Sequence, residues 1–117
     1  MKKKTGMVRI IKAVGYSLAG LKAAWISEQA FRQEMMASAI LVPAGLVLGQ
    51  TGAEKALLAS SPMLVVAVEL MNSGLEAIVD RMGTDFHPLS KQAKDMGSAA
   101  VFVCIILTFV VWTAILA

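Results

Sequence analysis

Val65-Val66-Ala67-Val68-Glu69-Leu70-Met71-Asn72-Ser73-Gly74-Leu75-Glu76-Ala77-Ile78-Val79-Asp80 is the stretch that decides how this chain is built. It is apolar enough to cross a bilayer, yet it carries two glutamates, an asparagine and a closing aspartate. A carboxylate at mid-membrane costs on the order of 3 kcal/mol by insertion scales, so a helix that holds two of them uses them. Glu69, Asn72, Glu76 and Asp80 follow one another at intervals of three, four and four residues. That ladder places all four side chains on one helix face. The other side is Leu, Met, Ile and Val. Helix packing in a membrane needs hydrogen-bonding groups but no ionisable pair. The stripe therefore reads as functional: a path for protons or cations, or a site that holds a metal.

The bulk composition agrees with a membrane chain. Across 117 residues the hydrophobic share is 57% and the mean hydropathy +0.70, well above a soluble globular domain. Stretches at about 35–49, 56–79 and 97–117 approach or exceed the roughly 20 apolar residues that span a hydrocarbon core. One membrane domain accounts for the whole length. No secretory signal is expected, because the segment after the N-terminal lysines is too polar and lacks a compact apolar run. The single cysteine, Cys104, rules out an internal disulfide or a cysteine-rich metal site and reads as packing.

Charge gives the orientation. Lys2, Lys3, Lys4, Arg9, Lys12, Lys22 and Arg32 precede the first span, and Arg81, Lys91 and Lys94 lie between the second and third. The connection between the first two spans has only Lys55, offset by Glu54. The positive-inside rule then puts the N-terminus and the 80–96 loop in the cytoplasm and the C-terminus in the periplasm. The expected fold is an all-α membrane protein: a surface helix at about 6–26 and transmembrane helices at 28–49, 56–80 and 94–117. Residues 6–26 are too charged to span. Their apolar positions recur at helical spacing between Arg9, Lys12 and Lys22, the pattern of a helix lying on anionic headgroups. Gly15 and Gly20 leave one helix or two short ones open. Ser27 is a candidate cap for the next helix. Pro43 and Gly45 predict a kink or a close backbone approach, and 49–52 a tight turn. Pro62 falls in the first turns of the second span, where proline is tolerated best.

Near the cytoplasmic side Glu28 and Glu76 are expected at similar depth, with Asp80 and Asp95 at the water edge. Paired carboxylates are hard oxygen ligands, suited to a Mg²⁺ that keeps several waters and shares phosphate oxygens. Lys94-Asp95 stands before Met96-Gly97-Ser98-Ala99-Ala100, whose small residues permit close helix approach. His87 reads as a loop residue rather than a ligand. The Gly-Ala-Glu-Lys run at 52–55 lacks the spacing and the Ser or Thr of a phosphate-binding loop. The chain contains no HExxH or CxxC and no Ser-His-Asp arrangement.

Three segments carry a resemblance. Glu28-Gln-Ala-Phe31-Arg32-Gln-Glu34, Glu69-Leu-Met-Asn72-Ser-Gly-Leu-Glu76-Ala-Ile-Val-Asp80-Arg81 and Ala93-Lys94-Asp95-Met-Gly97-Ser98-Ala99-Ala100-Val101 are similar to the signature segments of the prokaryotic integral-membrane diacylglycerol kinases. Arg9-Ile-Ile-Lys-Ala-Val-Gly-Tyr16-Ser and Gly20-Leu-Lys-Ala-Ala-Trp25-Ile resemble the proteobacterial branch. The likeness covers essentially the whole chain. Gly74, where the family usually has alanine, and Pro88 depart from its pattern. The resemblance implies a homotrimer in the bacterial inner membrane with active sites shared between subunits. It implies transfer of the ATP γ-phosphate to the primary hydroxyl of diacylglycerol, giving phosphatidic acid in phospholipid recycling. It makes Glu69 the general base and Glu28 and Glu76 the Mg²⁺ ligands. It sets Arg9, Tyr16, Glu28, Glu76, Asp80, Asp85, His87, Lys94 and Asp95 around ATP. It sets Arg9, Trp25, Ala30, Glu34, Glu69, Asn72, Ser98 and Trp112 along the lipid substrate. No nucleic-acid partner is expected.

Two other functions compete. An undecaprenol kinase of the same family differs only in the lipid alcohol, and the amphipathic N-terminal segment favours diacylglycerol. A small proton-coupled transporter or channel subunit would use Glu69 and Glu76 as a relay. It has no use for Glu28, Asp80, Lys94 and Asp95 gathered at one depth.

Overall fold

A computed structural model describes residues 5–117, so Lys2, Lys3 and Lys4 lie outside the described residues. Four helices follow in order: α1 (Gly6–Ser27), α2 (Gln29–Leu48), α3 (Gly52–Arg81) and α4 (Pro88–Leu116). The last three are long and apolar enough to cross a membrane.

α1 starts at Thr5, whose hydroxyl accepts from the Val8 amide at 3.3 Å. It runs unbroken through both glycines. Between them Ser17 donates its hydroxyl back to the Ala13 carbonyl at 2.9 Å, as a serine inside a continuous helix does. Ser27 does not cap α2 either. Its hydroxyl donates to the Ala23 carbonyl at 2.7 Å, and the extended Glu28 (φ −121°, ψ 109°) is the hinge between the two helices. Arg32 closes that hinge: Nη1 donates to the Trp25 and Ile26 carbonyls at 2.7 and 3.2 Å, satisfying acceptors left open at the end of α1.

The α2–α3 connection is tight for the same kind of reason. Lys55 Nζ donates to the Leu46 carbonyl at 2.6 Å, and Thr51 Oγ1 caps α3 by accepting from the Glu54 amide at 3.1 Å. A Cβ on Gly49 would sit 2.6 Å from the Lys55 nitrogen, so only glycine fits this turn. Gly45 is a close helix crossing: a Cβ there would lie 2.8 Å from Leu58 Cβ and 2.9 Å from its carbonyl carbon.

Pro62 lies deeper in α3 than the sequence suggests, because the helix begins at Gly52. A proline inside a helix has no amide for the carbonyl four residues earlier. That carbonyl belongs to Leu58, and the Trp112 indole of α4 donates to it at 3.1 Å. The Pro62 carbonyl in turn accepts from Ser38 Oγ of α2 at 3.2 Å. The proline thus ties α3 to both neighbours.

α4 begins at Pro88, ahead of the expected 94, because proline suits the first helical turn and His87 Nδ1 accepts from the Leu89 amide at 3.1 Å. Lys94 and Asp95 therefore sit inside the second turn rather than before the helix. α3 is the axis of the fold. α2 and α4 pack on either side of it and barely touch each other, while α1 meets the rest chiefly near Glu28. The described chain is flat, 48 × 43 × 22 Å, with a radius of gyration of 17.4 Å. A compact soluble chain of this length has about 13 Å. Among the described residues only Ala24, Phe31, Leu58, Ala59, Val65 and Val101 are buried hydrophobics. Bilayer or further copies of the chain must cover the remainder.

The Gly45 crossing sets an expectation. Gly45→Ala lowers stability by about 1–3 kcal/mol in thermal or denaturant unfolding in detergent micelles. Gly74→Ala, where a Cβ meets nothing within 4 Å, leaves stability unchanged or raises it by up to about 1 kcal/mol.

Candidate active site

One face of α3 carries both the packing and the polar groups. Leu58, Ser61, Pro62 and Val65 are buried along its first half, and the same three-to-four-residue ladder continues into buried Glu69 and Asn72. Glu76 and Asp80 extend it toward the charged end. The acidic stripe is therefore not turned to lipid: Glu69 is only 5% exposed.

The Glu28 hinge brings a carboxylate from the α1–α2 junction to this stripe. Glu28 and Glu76 both lie within electrostatic range of Glu69, and Glu34, one turn and a half into α2, does so from another side. Asn72 Nδ2 donates to Glu76 Oε1 at 3.3 Å. The Asn72 carboxamide rests on Gly97 of α4, where a Cβ would run into its oxygen and stand 3.1 Å from its Cγ. Gly97 is what lets α4 come this close. At the outer end Lys94 Nζ pairs with Asp80 Oδ1 at 2.6 Å and is also within range of Glu76. Lys91 pairs with Asp95 at 2.7 Å on the exposed side of α4. Among the described residues no group of three or more His, Cys, Asp or Glu side chains converges tightly enough to hold a metal by itself.

Of the site residues expected from sequence, the structure gathers Glu28, Glu34, Glu69, Asn72 and Glu76, with the Asp80–Lys94 pair beside them. Others stand apart in the single chain. Tyr16 and Arg9 are exposed on α1, about 18 and 28 Å of helix rise from Glu28. Trp25 and Ala30 are exposed on either side of the hinge, and Asp85 is in the exposed loop before His87, which caps α4. Asp95 and Ser98 are exposed on α4. Trp112 is at the other end of the bundle, bonded to Leu58, about 16 Å of helix rise from Glu69. Its place in this chain is to satisfy a proline-freed carbonyl.

The structure adds Ser73, whose hydroxyl is shut from solvent without a partner among the described residues one turn beyond Glu69. Its interval of four from Glu69 is the signal that marks it. In the sequence Arg32 is one of the orientation charges, and its bonds across the hinge depend on a helix break that periodicity does not reveal.

Fold and site together define a three-span helical membrane protein with a carboxylate cluster sunk below its charged end. Residues 15–116 match the family described as prokaryotic diacylglycerol kinase. The chain is 52% identical over 112 residues to a diacylglycerol kinase of Escherichia coli K12, covering 96% of this chain and 92% of that one. A diacylglycerol kinase of Pseudomonas aeruginosa is 48% identical over 98% of this chain and 94% of its own length. One from Haemophilus influenzae is 47% identical over 99% and 98%. The chain belongs to the prokaryotic diacylglycerol kinase family.

The Trp112 bond separates a packing role from a substrate role. Trp112→Phe strands the Leu58 carbonyl and lowers stability by about 1–3 kcal/mol in thermal unfolding. The same variant keeps the wild-type KM for a lipid substrate.

Proposed function

We propose that this protein transfers the γ-phosphoryl group of ATP to the primary hydroxyl of diacylglycerol, with Glu69 as the general base. The observation that carries this reading is the burial of Glu69 inside the packed face of α3 with Glu28 and Glu76 in range. Family membership supports the substrate, since the relatives bear that activity in their names.

Phosphoryl transfer asks a protein for positioning and charge neutralisation more than for covalent chemistry. Glu69 accepts the proton of the lipid hydroxyl. The hydroxyl oxygen then bonds to the γ-phosphorus while the bond to the β,γ-bridging oxygen breaks, and ADP departs with that electron pair. Lys94 is the cation at the mouth of the site, able to exchange Asp80 for a phosphate oxygen.

Glu28 and Glu76 fit a Mg²⁺. Glu28 makes no capping bond with its side chain, and Glu76 takes a single long bond from Asn72, so both keep carboxylate oxygens for a cation. Two protein carboxylates suit an ion that retains water and shares phosphate oxygens. Bound there, Mg²⁺ would neutralise charge on the transferring phosphate.

A homotrimer with shared sites accounts for what one chain leaves apart. Arg9, Tyr16, Asp95 and Ser98 are exposed in the single chain, and a neighbouring copy can receive them. The excess of Lys and Arg around α1 and the α3–α4 loop supports an inner-membrane chain with those parts cytoplasmic and the C-terminus periplasmic.

Radiolabelled transfer from ATP to diacylglycerol in mixed micelles, paired with equilibrium nucleotide binding, checks the base. Glu69→Gln cuts turnover by about 10²–10⁴-fold, the usual worth of a general base, and leaves nucleotide affinity intact. Wild-type turnover in that variant refutes the assignment.

A further inference from the structure

A crevice of about 580 Å³ lies between the second half of α1 and α3. Its walls are mostly small: Gly20 and Ala24 come from α1, and Gly74 and Ala77 from α3. Four polar residues line it: Ser17 and Ser27, whose hydroxyls are spent on the carbonyls four residues back, and Glu28 and Ser73. Glu28 belongs to the cluster already described. Ser73 does not, and its chemistry is out of place.

A helical serine or threonine ordinarily returns its hydroxyl proton to the carbonyl one turn back. Ser17, Ser27 and Thr108 do so here, at 2.9, 2.7 and 3.0 Å. Ser38 finds the Pro62 carbonyl instead. The Ser61 and Ser73 hydroxyls are both shut from solvent with no partner among the described residues, and of the two only Ser73 belongs to the crevice wall. A buried hydroxyl left unpaired is destabilising, and native chains seldom keep one without use. In this crevice the hydroxyl sits one turn from Glu69 and beside Glu28, at the level where α1 leaves the bundle. That is the interfacial depth at which a lipid carries its glycerol and ester oxygens.

We propose that Ser73 is a specificity-determining residue that donates its hydroxyl to an ester or ether oxygen adjoining the reactive hydroxyl of the lipid. The inference rests on the lipid-kinase reading above and extends it to the choice of alcohol. Diacylglycerol offers an ester oxygen next to its primary hydroxyl. A polyprenol offers only hydrocarbon there, so it leaves Ser73 unpaired and forfeits the bond. The crevice walls are small enough to admit the glycerol backbone, and the donor inside them distinguishes it from a plain chain alcohol.

The test compares wild type and Ser73→Ala with two lipid substrates, a short-chain diacylglycerol and a polyprenol, in the same micelles with Mg²⁺ and ATP. With diacylglycerol, Ser73→Ala raises the lipid KM about tenfold, the factor expected for one lost hydrogen bond, with kcat and the KM for ATP unchanged. With polyprenol the two proteins behave alike, so the preference between lipids falls by the same factor. Thermal unfolding without lipid adds a readout that a merely structural serine would move the other way. Removing an unpaired hydroxyl leaves the melting temperature unchanged or raises it. An unchanged lipid KM, an equal loss with both alcohols, or a lowered melting temperature overturns the role of Ser73. Wild-type protein that fails to phosphorylate diacylglycerol overturns the lipid-kinase reading instead, so the two failures are distinct.

Discussion

Within hydrocarbon no water is available to a polar side chain, so every such group on α3 must be covered by protein. This constraint organises the molecule. Ser61, Glu69 and Asn72 lie on one face, and burying that face requires a helix on each side of it. α2 and α4 take those places, and α3 becomes the middle of the row. The close contacts at Gly45 and Gly97 follow from the same demand, because each lets a neighbouring helix press against the α3 surface. Pro62 adds to the bond. By freeing the Leu58 carbonyl and offering its own, it gives Trp112 and Ser38 something to hold.

The same face places the chemistry. Its inner half is locked by packing, and its outer half opens where α1 bends into α2 at Glu28. The hinge has no side-chain cap of its own and is closed by the Arg32 guanidinium. That leaves the Glu28 carboxylate for the site rather than for the helix end. Carboxylates gathered this closely repel one another, and a hydrated divalent ion with a nucleotide is the natural complement. The Lys94–Asp80 pair stands at the rim, holding a cation near without placing it among the acids.

The spans, their order and the acidic ladder are legible in the sequence because they depend on hydrophobicity and on a period of three and four. Glu69, Asn72 and Glu76 share a face whatever surrounds them, so spacing alone identifies them. What spacing does not carry is the conduct of single capping groups. Ser27 looks like a cap and bonds backward, while Glu28 turns the chain without capping it. Pro88 reads as a loop residue and instead starts α4, since the first turn of a helix has no use for the missing amide. Trp112 is set along the lipid substrate by family likeness alone, and its indole bond is visible only once Pro62 is known to lie inside α3. Arg9, Tyr16 and Ser98 came from family likeness, and one chain by itself does not bring them to the carboxylates.

The central claim is that Glu28 and Glu76 hold a nucleotide-bound cation beside buried Glu69. Paramagnetic broadening of ¹³C-labelled glutamate carboxyl resonances, on adding Mn²⁺ and a non-hydrolysable ATP analogue to the protein in bilayers, measures this most directly. The account predicts that the Glu28, Glu76 and Glu69 signals broaden together while Glu54, at the opposite end of α3, stays sharp. Broadening of Glu54 with the other three left sharp would contradict it.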